Sequence, residues 1–271
     1  MYIWRKHAGP GWLRDGIEPL TRRFGSALAV VERLGSKRAL LEVCCRTKKE
    51  AQELIREFGG SAEKLRPDWL QHFAKQSQGK PLRIGPRLLI LSEPARRATA
   101  AQTLIIPAET AFGTGHHATT AMCLRLLERI TRGLAPDWAM LDAGTGSGIL
   151  AMAGSCFGAG RVLAVDNDPL ACATAKRNAR RNGVRNIEFS TGDVLKQRLT
   201  EKFEIITANL FSEMVIEALP LWSRCLAPGG HMILSGILRS QETAVVRALG
   251  RHGLTASEVR RRGKWIALLC S

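Results

Sequence analysis

Apolar and polar positions change their pattern after about residue 65. Residues 1–65 contain short segments whose spacing alternates between strand and helix type, in the order strand, helix, strand, strand, helix, strand. Thr47 stands where it can cap the helical segment 48–58. This order is typical of a small α+β domain of the ferredoxin-like kind. No group of residues in it suggests chemistry, so we expect a domain for substrate recognition.

Residues 66–109 are predicted to form a linker, because prolines interrupt short extended pieces along them. Two apolar runs, Leu88–Leu91 and Leu104–Ile106, lie within it. A flexible tether has no need of such runs. We therefore expect the linker to pack on the domain that follows and to set the angle of the first domain.

From residue 110 to residue 271, strands and helices alternate, and seven strands are predicted. Alternation of this kind is typical of an open α/β sheet with Rossmann-like connections. The last two segments, Thr255–Val259 and Trp265–Leu269, are predicted to pair antiparallel, which makes the sheet mixed. The expected fold class is α/β, with a small N-terminal α+β domain.

Candidate chemistry begins at the loop after the first strand of this sheet. The segment 141–150 reads LDAGTGSGIL, and a second apolar run, Val162–Val165, ends at Asp166. Glycines between a strand and a helix let the backbone approach a ligand closely, and an acid at the end of the next strand can accept from ribose hydroxyls. The pattern predicts a cofactor that contains a nucleoside.

The glycine spacing narrows the choice of cofactor. Gly144, Gly146 and Gly148 give G-x-G-x-G, whereas the dinucleotide fingerprint is G-x-G-x-x-G. A P-loop would need Lys followed by Ser or Thr, and Ile149 and Leu150 stand there instead. The spacing resembles the first motif of class I S-adenosylmethionine-dependent methyltransferases. Other Rossmann-like enzymes stay open as alternatives at this point.

Two further elements could contact a ligand. The segment 111–120, AFGTGHHATT, has glycines on both sides of Thr114 and threonines that can cap the next helix, so it is either a ligand-contact element or an ordinary capped loop. Asp193 follows the third strand and could accept from an adenine amino group, or else serve as a turn or cap residue. Adjacent His116 and His117 diverge and have no third ligand nearby in sequence, so no metal site is expected.

Composition describes a globular chain, with 45% hydrophobic and 24% charged residues. No apolar run has the length of a membrane span, and the N-terminus lacks the apolar core of a signal peptide, so a cytoplasmic protein is expected. The seven cysteines are scattered without C-x-x-C spacing, which indicates reduced thiols and again no metal site.

The formal net charge of +16 favours association with polyanions such as RNA or the ribosome. The positive residues are spread along the chain, with local concentrations such as Arg260–Arg262. No aromatic residues interleave with them as in a base-stacking platform. Solvated faces are the favoured interpretation, and a nucleic-acid substrate stays open as the alternative.

Several segments together resemble one enzyme family, the bacterial methyltransferases of ribosomal large-subunit protein eleven, which modify lysine side chains and the N-terminal amine. The resemblance covers about residues 69–271 and rests on these segments: AFGTGHHATT at 111–120, LDAGTGSGIL at 141–150, VDNDP at 165–169, TANL at 207–210 and SGIL at 235–238. It implies a class I methyltransferase sheet, S-adenosylmethionine as cofactor, and an N-terminal domain that holds the substrate protein.

The resemblance also implies roles for individual residues. Asn209 is expected at the transferring methyl group, where its amide carbonyl can orient an amine, so it is the candidate catalytic residue. Asp142 and the glycines are expected to approach the methionine part of the cofactor. The candidate cofactor-binding residues are Thr120, Gly144, Gly146, Asp166, Asp193, Asn209, Phe112, Thr114 and Gly115.

The expected partner is a ribosomal large-subunit protein, with RNA or the ribosome nearby through the basic surface, and a monomer is expected. One alternative is a methyltransferase of rRNA or of another basic protein, since a strongly positive enzyme repels a basic substrate at long range. A second alternative is a binding protein that keeps the fold without catalysis. The intact glycines, Asp166 and Asn209 argue against that second alternative.

Overall fold

The computed structural model describes residues 2–24, 28–32, 38–45, 47–64, 81–93, 102–107, 115, 117–196 and 199–271. The chain divides into two compact units, residues 1–73 and 74–271. Two of the candidate site residues, Phe112 and Thr114, lie outside the described residues.

The N-terminal unit has the element order that the sequence predicts. Its elements are β1 (Tyr2–Ala8), α1 (Pro10–Phe24), β2 (Leu28–Glu32), β3 (Ala39–Cys45), α2 (Lys48–Phe58) and β4 (Ser61–Lys64). The strands form an antiparallel sheet in the order β2-β3-β1-β4, which is the arrangement of a ferredoxin-like fold. The Thr47 side chain accepts from the Glu50 amide at 3.1 Å, so it caps α2 as expected.

One apolar cluster holds the N-terminal unit together. Trp4, Leu20, Leu41 and Leu54 come from β1, α1, β3 and α2 and are fully buried in it. The Trp4 indole also donates to the Gly59 carbonyl at 2.8 Å. A buried indole that keeps a hydrogen-bond partner avoids the free-energy cost of an unpaired polar group. Residues of α1 and α2 belong to the same cluster, so both helices pack on one face of the sheet.

The C-terminal unit contains the rest of the described strands and helices. Its strands are β5 (Leu82–Ile84), β6 (Leu88–Leu91), β7 (Gln102–Ile105), β8 (Trp138–Ala143), β9 (Ala159–Asp166), β10 (Ile187–Thr191), β11 (Phe203–Asn209), β12 (Leu226–Leu238), β13 (Ala256–Arg262) and β14 (Trp265–Cys270). Its helices are α3 (Ala118–Ile130), α4 (Ile149–Cys156), α5 (Pro169–Arg181), α6 (Ser212–Cys225) and α7 (Glu242–Arg251).

Seven of these strands form one mixed sheet, in the order β10-β9-β8-β11-β12-β14-β13. The first five run parallel, and β14 is antiparallel to both of its neighbours, so the predicted mixed sheet is confirmed. The strand order reverses beside β8, between β9 and β11. In an open α/β sheet, ligands bind outside the carboxyl ends of the strands at such a reversal, which places the candidate site there.

Apolar side chains cover both faces of this sheet. Residues of α3, α4 and the β5–β7 sheet form one buried cluster, and residues of α6 and α7 form the other. The apolar runs that the sequence places in a linker belong to the first cluster through Leu88, Ile90, Leu104 and Ile106. Residues 81–107, where described, are therefore part of the packed C-terminal unit.

Among the described residues, no helix has both the length and the apolar character needed to span a membrane.

Candidate functional site

The glycine loop after β8 is fixed to the neighbouring strand by backbone hydrogen bonds. The amides of Gly144 and Thr145 both donate to the Val165 carbonyl, at 2.8 and 3.0 Å. Gly144 has φ +75°, and a Cβ added to it would lie 2.4 Å from Leu210 Cδ2. Only glycine has both the backbone freedom and the lack of a side chain that this position needs, so the loop lies directly against the end of β11.

The Asp166 carboxylate is held in one orientation at the end of β9. Its Oδ2 accepts from the Gly146 amide at 2.8 Å, and its Oδ1 accepts from the Asp168 amide at 3.0 Å. A carboxylate oxygen has a second lone pair, and Asp166 is partly exposed, so both oxygens can still accept from a ligand. This arrangement suits a pair of hydroxyl groups, as on a ribose.

Asn209, the last residue of β11, has a fixed amide with one unused oxygen. Its Nδ2 donates to Thr120 Oγ1 at 3.2 Å, which sets the orientation of the amide. Its Oδ1 is buried and has no hydrogen-bond partner among the described residues. A buried acceptor without a partner costs free energy, of order 1–3 kcal/mol, so it indicates a site where a ligand supplies the donor.

These side chains surround one cavity at the carboxyl ends of β8, β9 and β11. The cavity brings together five predicted site residues: Thr120, Gly144, Gly146, Asp166 and Asn209. The remaining lining is largely apolar, from Ile149, Leu150, Val194, Leu210 and Met214. An apolar cleft with a few convergent polar groups is the usual form of a cofactor site.

Two predicted site residues lie beside this cavity without lining it. The Asp193 carboxylate accepts from the Leu195 amide at 2.9 Å and pairs with Lys196 at 3.5 Å, so it serves the turn after β10. Gly115 is buried with φ +91°, and a Cβ on it would lie 3.1 Å from the Cδ1 of Ile149, a residue that does line the cavity. The backbone of Gly115 therefore lies close to the cavity wall.

The start of α3 differs from the expected threonine cap. His117 is the N-cap residue, and its side chain makes no capping hydrogen bond. Thr119 and Thr120 lie inside the first turn and are buried. The Thr120 hydroxyl therefore does not cap the helix and instead accepts a hydrogen bond from the Asn209 amide.

Sequence reasoning missed the role of Asp142 and its link to Thr207. Asp142 is buried and does not line the cavity, in contrast to the expectation that it approaches the cofactor. Its carboxylate accepts from Thr145 Oγ1 at 2.7 Å and from Thr207 Oγ1 at 2.6 Å. Thr145 belongs to the glycine loop, and Thr207 lies two residues before Asn209. One carboxylate therefore connects the loop to the strand that carries Asn209.

Burial raises the pKa of Asp142 to about 6, while the hydrogen bonds from Thr207 and Thr145 oppose that rise. The carboxylate is therefore ionised at neutral pH and depends on these two hydroxyl donors. The two-residue period of a strand could have shown that Thr207 and Asn209 share one face of β11. The pairing with Asp142 follows only from the strand order, in which Asp142 lies opposite Thr207.

Comparison with known proteins identifies the family. The family model described as "Ribosomal protein L11 methyltransferase (PrmA)" matches residues 28–271. The chain belongs to this family. Proteins named ribosomal protein L11 methyltransferase from Pelotomaculum thermopropionicum and Syntrophotalea carbinolica are each 40% identical, over 74% and 76% of this chain. The alignments span 64% and 66% of those relatives, slightly less than two thirds of their length.

A solved structure supports the fold of this L11 methyltransferase family member. The ribosomal protein L11 methylase from Lactobacillus delbrueckii subsp. bulgaricus has a TM-score of 0.64 and 29% identity, over 70% of this chain and 97% of that one. The class I methyltransferase fold that the motifs imply is thereby confirmed.

S-adenosylmethionine is the cofactor of this family, and the cavity has groups suited to it. The Asp166 carboxylate can accept from ribose hydroxyls, Gly144 and Gly146 leave the loop backbone open to close approach, and the apolar walls suit an adenine ring. The buried Asn209 Oδ1 needs a donor, which a bound ligand can supply.

The steric need for glycine at residue 144 can be tested by cofactor binding. In Gly144→Ala, the new methyl group collides with Leu210 and the residue keeps a strained positive φ, so the loop moves and S-adenosylmethionine affinity is expected to fall by at least about tenfold. Isothermal titration calorimetry measures this change. Gly183→Ala is the matched control, since Gly183 also has positive φ (+67°) but nothing lies within 4 Å of its added Cβ. Equal affinities of the two variants would contradict the prediction.

Asp142 should also impose a pH dependence on stability. Its pKa is raised from 3.8 to about 6 in the folded protein. Between these two pH values, the folded state holds a proton that the unfolded chain releases. This group's contribution to the free energy of unfolding therefore falls as the pH rises from about 4 through 6. Asp142→Asn lacks this titration. Its free energy of unfolding, relative to the parent, should rise over that window by up to about 3 kcal/mol.

Urea unfolding followed by circular dichroism across this pH range measures the difference. Thr207→Val removes one donor to the ionised carboxylate. This should raise the pKa of Asp142 in the folded protein further and extend the window to higher pH. Parallel curves for Asp142→Asn and the parent across the whole range would show that the carboxylate is not held as described.

Proposed function

We propose that this chain transfers methyl groups from S-adenosylmethionine to amine nitrogens of ribosomal protein L11, at lysine side chains, the N-terminal amine, or both. The observation that carries the proposal is the buried, unpaired Asn209 Oδ1 in the cavity that contains Asp166 and the glycine loop. Family membership over residues 28–271 supports the same activity and substrate.

Asn209 would orient the attacking amine. Its Nδ2 is occupied by Thr120, so its Oδ1 is the group left to accept an N–H from the substrate. An acceptor holds the amine without donating to the nitrogen lone pair, which must stay free to attack the methyl group. Methyl transfer from a sulfonium is an in-line displacement, so alignment and exclusion of water supply most of the catalysis.

The amine must lose its proton before it attacks. A solvated lysine with a pKa near 10.4 costs roughly 4–5 kcal/mol to deprotonate at neutral pH. Asp166 is the only ionisable side chain among the described residues that line the cavity. Glu213, the second residue of α6, is absent from the lining, and its carboxylate accepts from Gln241 at 3.2 Å. Desolvation by the apolar walls and the nearby sulfonium charge would lower the amine pKa, which removes the need for a dedicated base.

We assign the cofactor contacts as follows. Asp166 holds the ribose hydroxyls, Gly144 and Gly146 allow the backbone to approach the methionine part, and Thr120 orients Asn209. Phe112, Thr114 and Gly115 stay candidate cofactor-binding residues on the basis of their sequence motif. Asp193 remains a candidate acceptor for the adenine amino group if its side chain leaves Lys196.

The N-terminal unit would hold the substrate protein, with residues 66–109 positioning it for successive amines. Its ferredoxin-like sheet has an apolar cluster of its own, which supports a separate domain for binding. A monomer in the cytoplasm is the expected form of the enzyme.

The activity is tested by label transfer from methyl-labelled S-adenosylmethionine into purified L11, other ribosomal proteins and rRNA, followed by mass spectrometry. Label is expected on amine nitrogens of L11. Label only in RNA would overturn the proposed substrate in favour of an RNA methyltransferase. Absence of label together with absence of cofactor binding would instead favour a binding protein without catalysis.

The role of Asn209 is tested in the same assay. Asn209→Ala should lower the methylation rate by at least about 100-fold, because the amine loses its orienting acceptor, while the dissociation constant of S-adenosylmethionine changes much less. Thr120→Val should have an intermediate effect, since the Asn209 amide is still present but no longer held.

Thr120→Ser, which keeps the hydroxyl, is the matched control and should restore most of the rate. An undiminished rate in Asn209→Ala would exclude the proposed role. An equal loss in the valine and serine variants of Thr120 would show that the hydroxyl is not what matters.

A further inference from the structure

Four arginines gather where α3 packs beside the edge strand β13. Glu258, Arg260 and Arg262 occupy alternate positions of β13 and therefore share one face of the sheet. Arg260 Nε donates to Glu258 Oε1 at 2.7 Å, and Arg129 of α3 pairs with the same carboxylate. Arg125 lies one helical turn before Arg129. We call Arg125, Arg129, Arg260 and Arg262 the α3–β13 arginine cluster.

Positive charge in this cluster exceeds what its neighbours neutralise. Glu258 is shared by two arginines, and no carboxylate of the described residues pairs with Arg125 or Arg262. Burial lowers the pKa of Arg125, and the charges of Arg262 and Arg260 lower it further. Like charges held this close destabilise the folded protein unless an anion joins them. Arg261 is different, since it lies on the opposite face and pairs with Glu242 of α7.

The cluster extends to the same end of the sheet as the cavity. Ser235 of β12 lies opposite Asn209, and Leu238, the last residue of β12, lies opposite Trp265 at the start of β14. Arg262 pairs with Trp265 across the final hairpin, so it lies at the carboxyl end of the parallel strands. Helix α3 begins at the same end, since Thr120 in its first turn lines the cavity.

An aromatic ring and another cation stand at the tip of this hairpin. Lys264 Nζ is 5.1 Å from the centroid of the Trp265 ring, and the His117 ring packs edge-on against Trp265 with centroids 5.4 Å apart. Trp265 is half-buried and packs against the apolar cluster of α3, so the exposed surface at this tip is formed by cations. A nucleic-acid backbone carries a phosphate at every nucleotide and can therefore contact such a row of cations in succession.

We propose that the α3–β13 arginine cluster, with Lys264, binds the phosphate backbone of RNA beside the cavity. Guanidinium groups bind phosphate oxygens in a bidentate manner and stay charged when partly buried. Among the described strands β13 is the edge of the sheet, so no described strand lies along its outer side in the way of the polymer. The site is a docking surface, separate from the residues assigned to methyl transfer, and does not depend on the proposed substrate.

Binding of a short fluorescein-labelled RNA stem-loop, followed by anisotropy from about 50 to 200 mM salt, tests the proposal with the full chain. The double variant Arg125→Gln/Arg262→Gln should bind at least about tenfold more weakly. The slope of log K against log salt should become shallower by about 1.4 to 1.8, the value for two lost phosphate contacts. The matched control is Arg180→Gln/Arg251→Gln, with the same charge change at exposed positions of α5 and α7.

A thermal melt separates binding from folding. Removing like charges that repel one another should leave the melting temperature of Arg125→Gln/Arg262→Gln equal to or above that of the parent, while RNA affinity falls. Cofactor affinity should be unchanged. Arg125→Lys/Arg262→Lys keeps the charges without the planar fork and should bind RNA with intermediate affinity.

Two outcomes would overturn the proposal. The first is equal RNA affinity and equal salt slope in the cluster variant and in the control variant, which would show that only net charge matters. The second is binding of poly-glutamate as tightly as RNA with the same sensitivity to the variants, which would identify an acidic protein as the partner.

Discussion

The buried carboxylate of Asp142 is the interaction on which the geometry of the site depends. It accepts from Thr145 in the glycine loop and from Thr207 on the adjacent strand, and these contacts fix the loop against the strand that ends at Asn209. A buried charge is costly unless hydrogen bonds satisfy it, so any movement of loop or strand leaves it unsatisfied. The glycine loop and the strand that ends at Asn209, both of which line the cavity, are thereby held by a carboxylate that does not line it.

Two different electrostatic environments lie at the carboxyl end of the parallel strands. The cavity is largely apolar, and Asp166 is its only ionisable side chain among the described lining residues. Such a setting would lower the pKa of the amine that we propose as substrate and favour its neutral form. The hairpin of β13 and β14, at the edge of the sheet, instead carries arginines whose charges are only partly neutralised. A basic substrate protein would be repelled by that surface, and a bound polyanion would remove the repulsion.

Much of the fold could be predicted from local sequence patterns. The ferredoxin-like order of the N-terminal unit followed from short segments with clear periodicity, and the mixed sheet followed from the alternation of strands and helices. Boundaries were less certain where packing overrides local preference. Strand β12 starts at Leu226 and includes Pro228–Gly230, residues typical of a turn, because Leu226 pairs with Phe203. The predicted linker contains strands whose leucines and isoleucines complete an apolar cluster of the C-terminal unit.

The sequence by itself determined the glycine loop, the acid at the end of β9 and the asparagine at the end of β11, because each belongs to a short motif whose chemistry is local. Only the tertiary structure decided which of these groups meet and what each contacts. Thr120 is 89 positions from Asn209, and Thr207 is 65 positions from Asp142, yet each pair is joined by a hydrogen bond. Contacts at such separations depend on strand order and register, which no local pattern encodes. The crowding of arginines from α3 and β13 has the same origin, since their proximity exists only once β14 has placed β13 at the edge of the sheet.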